Sequence, residues 1–162
     1  MTHPVRSYVG VLAPVAPGRG APLQAALAGL PTGEASPLAR VPATHYGRWL
    51  IVDRMGPDLL LFSAVSDLPW RDYVPVLLHH LGPVADRIWS HCSGWPGADG
   101  DAVGWLNAHA IEPSLSFGTW QAGVEEIRQA VAVRARVLSF VLAHHGDKPA
   151  ALQRAFVEKF GP

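Results

Sequence analysis

Three side chains combine a reactive type with a position that chemistry could use. His91 lies three residues after Ile88 and seven after Val84, so it continues the apolar stripe of a helix, where an imidazole can shuttle a proton. The plainer alternative is a hydrogen-bonded histidine at a helix C-terminus, favoured by the helix dipole. His45 and Arg48 share the strand-like run PATHYGRWLIVD. Strand alternation puts His45, Gly47, Trp49 and Ile51 on one face and Tyr46, Arg48 and Leu50 on the other. If the first set is open, His45 is a candidate base; if the second, Arg48 can anchor an anionic group. Gly47 permits close approach of a ligand or a helix, and structural or dimer contacts explain His45 and Arg48 equally well.

Other reactive types have simpler explanations. Asp67 precedes Pro69 and reads as a helix cap. Trp70, Trp89, Trp105 and Trp120 read as core. Cys92 has no nearby lysine or arginine in sequence and reads as a buried, inert thiol. His79-His80 and His144-His145 are adjacent pairs whose side chains diverge by about 100° on a helix. His109 and Glu112 are followed at once by Pro113, so no metal site is expected. Gly18-Arg19-Gly20-Ala21-Pro22-Leu23 ends in Leu where a dinucleotide fingerprint needs a small residue. Phosphate-loop, nucleophile-elbow and His-Glu-x-x-His patterns are absent from the sequence.

The elements that must position these residues follow from composition and periodicity. The chain has 162 residues, 13 basic against 13 acidic, and is 49% hydrophobic with six Trp, which fits one globular domain with an aromatic interior. A balanced charge lacks the positive field that nucleic-acid binding uses. One cysteine allows no intrachain disulfide. No secretory signal is recognisable and no apolar run reaches membrane-span length, so the expected location is cytoplasmic, with no membrane partner.

A first strand is read over 7–14, a short helix around Leu23, Ala26, Leu27 and Leu30, and a hairpin pairing 42–53 with 59–66. A helix capped by Ser66 or Asp67 follows, bends at Gly82-Pro83 and runs on to His91-Cys92. A short helix over 102–109 and a last core strand over 114–120 complete the core. The longest helical pattern, 124–145, ends at Gly146, and a small helix with Leu152, Phe156 and Phe160 on one stripe is appended over 146–162. The domain is thus read as single, with its core over about 7–142.

The order of these elements is the split β-α-β, ferredoxin-like arrangement of the α+β class, an antiparallel sheet with helices on one face. Tyr8, Trp49, Leu61, Phe62, Phe117 and Trp120 are too many large apolar groups for one covered face. A homodimer closing into an α+β barrel through the open faces is therefore expected.

HYGRWLIVD (45–53), LLLFSAVSD (59–67) and IWSHCSGWP (88–96) resemble a family of dimeric α+β-barrel proteins distantly related to the dye-decolorising haem peroxidases. The resemblance spans roughly 7–142. Pro96-Gly97-Ala98-Asp99-Gly100 departs from the Gly-x-x-Asp-Gly motif of those peroxidases by placing Pro96 at the first glycine. It implies a small-molecule enzyme acting on an apolar or aromatic substrate, peroxidase- or monooxygenase-like, with His91 as haem ligand or proton shuttle, His45 as base and Arg48 on a substrate anion or a haem propionate. A cofactor-independent cyclase or isomerase and a non-enzymatic binding or assembly domain are the alternatives. The pocket, placed between sheet and helices, would be lined by Tyr46, Trp49, Phe62, Trp70, Trp89, Phe117 and Trp120.

Overall fold

Alternating burial is what makes the strands of this molecule. In β3 (Leu59–Ser66) the residues Leu60, Phe62, Ala64 and Ser66 are buried while Leu59, Leu61, Ser63 and Val65 are partly exposed. The same period of two places Val9, Val11 and Ala13 of β1 (Ser7–Pro14) in the core. The structure is a computed structural model and describes residues 6–53, 56–97, 99–115 and 122–161. β2 (Thr44–Val52) and the two-residue β4 (Ala110–Ile111) complete a four-stranded antiparallel sheet of order β2-β3-β1-β4.

One face of this sheet carries the helices α1 (Gly20–Ala28), α2 (Trp70–Leu81), α3 (Pro83–Trp89) and α4 (Ala102–Ala108). Leu23, Tyr73, Val74, Leu77, Ile88, Trp89 and Leu106 fill the layer between, each fully buried. Phe62 lies 5.4 Å from the ring of Trp49 and 5.9 Å from that of Trp89, and Trp95 continues the cluster 5.5 Å beyond Trp89. The expected bend at Gly82-Pro83 is a break between two helices. Gly82 sits at φ 48°, which favours glycine, and Pro83 opens α3, where its fixed φ fits and its missing N–H is not needed.

The chain divides into two compact units, Met1–Val124 and Glu125–Pro162. In the second, α5 (Val124–Ala143) and α6 (Pro149–Phe160) meet at Phe140, whose ring lies 5.8 Å from Phe156 and 5.3 Å from Phe160. The four-residue spacing of those two phenylalanines is what brings both onto one partner. Among the described residues no helix is long and apolar enough to cross a membrane.

Two expectations about elements need correction. Among the described residues the fourth strand is Ala110–Ile111, which joins the edge of β1 directly off α4, whereas the expectation placed it over 114–120. Gly10 and Val11 pair with Ile111 and Ala110, and Leu12 N–H donates to His109 O at 2.9 Å. Pro113 has no N–H with which to extend the ladder, and Ser114 and Leu115 lie outside any strand. The rest of that run, including Phe117 and Trp120, lies outside the described residues. The helix expected to carry His91 ends earlier, at Trp89.

Candidate functional site

The sheet's second face carries no helix of the first unit, and it presents Tyr46, Arg48, Leu61, Ser63, Val65, Tyr8 and Gly10 around a cavity of about 310 Å³ that Ile111 and Glu112 close at the β4 side. The open set of β2 is therefore Tyr46, Arg48 and Leu50. Trp49, with Phe62 and Trp89, belongs to the packed layer under the helices. Phe62 and Trp89 fill the middle of the layer between sheet and helices, where the pocket was expected; Trp49, at its edge, borders a cavity of about 520 Å³ between α1 and β2, and a second concavity lies on the opposite side of the sheet. Of the expected lining residues among those described, Tyr46 alone stands in it; Phe117 and Trp120 lie outside the described residues. Trp70 borders a smaller neighbouring cavity, of about 230 Å³, with Tyr8 and Ile111, its indole N–H donating to Asn107 Oδ1 at 2.7 Å.

His45 leaves the strict alternation of its strand. β2 pairs Thr44 with Ser66 and Tyr46 with Val65, so His45 is the extra residue of a β-bulge. Just before it, Ala43 adopts φ 61°, unusual for a residue with a side chain, and its carbonyl accepts the Asp67 N–H at 2.9 Å. Thr44 is held by its hydroxyl at 3.0 Å from the Tyr73 hydroxyl. Burial raises the pKa of that tyrosine, partly offset by the Thr44 bond. Locked on both sides, the bulge turns His45 toward Asp67.

The two meet at 2.6 Å between His45 Nε2 and Asp67 Oδ1, with 13% and 16% of their side chains exposed. The second carboxylate oxygen accepts the Val124 N–H at 2.8 Å. Asp67 is thus no cap for the helix that follows it. That helix starts at Trp70, after Pro69, and the nearby Ser66 hydroxyl accepts the Leu68 N–H at 3.0 Å instead. A carboxylate on Nε2 selects the tautomer with hydrogen there and leaves Nδ1 as a lone-pair base. Among the described residues Nδ1 has no hydrogen-bond partner. Tyr46, adjacent to His45, and Val65, two residues before Asp67, both line the cavity.

His91 lies elsewhere. It follows Ser90 in the turn after α3, and its carbonyl accepts the Ala16 N–H at 2.9 Å beside the bridge between Val15 and Cys92. β1 begins at Ser7, paired with Ser66 next to Asp67, and ends at Pro14. Eight strand residues, about 26 Å, therefore separate His91 from the His45–Asp67 pair. His91 Nδ1 is buried without a hydrogen-bond partner, and burial, with the nearby Arg19 charge second, holds its pKa below the usual 6.5. The residue as a whole is partly exposed, and none of the principal cavities of the described residues is lined by it.

The residues present do not fit a haem ligated by His91. A macrocycle needs an open chamber against the imidazole, and Arg48, the expected propionate anchor, faces a cavity at a distance from it. Cys92 is buried, and burial pushes its pKa up to about 12, which makes it an inert thiol. Arg48 donates from Nε to Ser63 Oγ at 3.2 Å, and its terminal nitrogens make no hydrogen bond among the described residues. Ser63, Gly10 and Tyr8 did not emerge from sequence as site residues; only the register of three strands puts them together.

Comparison of the chain with protein-family models, with curated proteins and with solved structures finds no match in any of the three.

Proposed function

We propose that the chain is a cofactor-free enzyme acting by acid–base chemistry on a small apolar molecule, a ferredoxin-like domain that pairs with a second copy as a dimeric α+β barrel. The His45–Asp67 pair carries the reading: an imidazole with its Nε2 proton fixed by a carboxylate and its Nδ1 unbonded is equipped to abstract and return a proton. The strand order, with β1 and β2 separated by β3 and β4 on the far edge of β1, supports the ferredoxin-like topology. Tyr46 and Leu50, 53% and 47% exposed on the uncovered sheet face, support the pairing. Two such faces packed about 10 Å apart would enclose the cavity. Within the readings open from sequence, this is the cyclase or isomerase class. The haem-dependent oxidoreductase loses its support with the misfit at His91.

Proton abstraction can be read without knowing the natural substrate. Colourless, metal-free protein incubated in D₂O with a panel of aryl ketones and 1,3-diketones should speed deuterium incorporation at carbon, read by mass spectrometry. His45→Ala and Asp67→Asn should lower that rate about 100-fold or more. Background exchange across the whole panel would overturn the reading. A second reading, an assembly module, is favoured by Val131, Leu138 and Val141 of α5, each half-exposed or more; on that view polar substitutions there abolish association and His45→Ala changes nothing.

A further inference from the structure

We infer that the open sheet face binds a flat aromatic acid, its carboxylate on Arg48 and its ring system lying over Ser63 and against Ile111. This names the substrate class of the proposed site and rests on that reading of it. The basis is a single transverse row. Arg48 pairs with Ser63, Ser63 with Gly10 and Gly10 with Ile111, so the four residues stand side by side across the sheet. Its two central members carry almost no bulk. The flanking row on one side is Tyr46, Val65 and Tyr8, and on the other Leu50, Leu61 and Leu12.

Small residues between two bulky rows make a slot. Four strands at about 4.8 Å spacing put Arg48 and Ile111, whose side chains occupy its two ends, about 14 Å apart, and its walls rise from rows about 13 Å apart along the strands. Ile111 closes one end by lying over Gly10, where a Cβ would be 2.8 Å from its Cγ1. A shallow slot with one aromatic and one aliphatic wall suits a planar apolar body better than a bulky one.

The other end carries the charge. The Nε–H of Arg48 is engaged by Ser63, which fixes the guanidinium plane and leaves its terminal N–H groups for an incoming carboxylate. Glu112 is the other charged residue at the cavity. It lies beyond Ile111, across the sheet from Arg48, so it disfavours an acid bound in the reverse direction.

Calorimetric titration of the full chain with 2-naphthoate, methyl 2-naphthoate and decanoate tests the inference. The acid should bind at least tenfold tighter than its ester, and tighter than decanoate. Arg48→Gln should erase the preference for acid over ester, and Ser63→Leu, which fills the slot from the solvent side, should weaken both aromatic ligands. Equal binding of acid and ester by the native chain, or unchanged naphthoate affinity in Arg48→Gln, overturns the inference; equal binding of decanoate overturns its aromatic part. Proton exchange and naphthoate binding are both read on the native chain. Absence of proton exchange with binding intact, or the reverse, therefore separates failure of the proposed reaction from failure of the ligand class.

Discussion

The two faces of one sheet have opposite designs. Under the helices, Phe62, Trp49 and Trp89 meet ring against ring and close the middle of the layer. On the other face, at the very next residue of β3, Ser63 opens a slot. Aromatic content in a sequence marks where a domain can hold itself together, whereas a recognition surface is marked by where bulk is missing between bulky rows. The same alternation that seals one side creates the other, and each can be altered separately.

The sharpest way to break this comparison is to exchange the two neighbours. Phe62→Ala should lower unfolding free energy by about 3–5 kcal/mol, as deletion of a buried phenylalanine does, while Ser63→Ala stays within about 0.5 kcal/mol; chemical denaturation of both would show it. Similar losses for the two would mean that the faces are not energetically distinct. A smaller effect is expected at the sheet's end. Asp67→Ala leaves the Val124 N–H and His45 without their acceptor and should cost about 1–3 kcal/mol, with Asp67→Asn recovering part of it.

The smallest effect belongs to His91. Its folded-state pKa lies below the unfolded value of 6.5, so the unfolded chain takes up the proton first as pH falls. The resulting stability difference is absent above about pH 6.5 and grows against the folded state as pH drops toward the depressed value. His91→Gln should flatten the acid side of the stability profile over that interval, read as melting temperature against pH. An unchanged profile would mean the imidazole is solvated.

Much of the architecture was legible because it rests on local pattern. The strand expected over 59–66 matches β3 to the residue, since strict alternation specifies both the element and its faces. The strand at Ala110–Ile111 escaped notice because two residues carry no period. The site was harder to read. Arg48 could be named, but which face it occupies depends on where the helices pack. Asp67 looked like a local cap because its partner Val124 is 57 residues away. The bulge at His45 exists only in relation to β3 and leaves no mark in the spacing of β2 itself. Ser63 and Gly10 become neighbours only once three strands are in register.

All six tryptophans of the chain precede residue 124, and four of those described, Trp49, Trp89, Trp95 and Trp105, form one series of ring contacts in the first unit. The second unit contains none, and it holds the longest helix. Indole emission therefore arises in the first unit alone, whereas ellipticity near 222 nm draws on the helices of both. A melt followed in both compares a signal confined to the first unit with one shared by the two, and so would report whether sheet and helical pair come apart together without any label being attached.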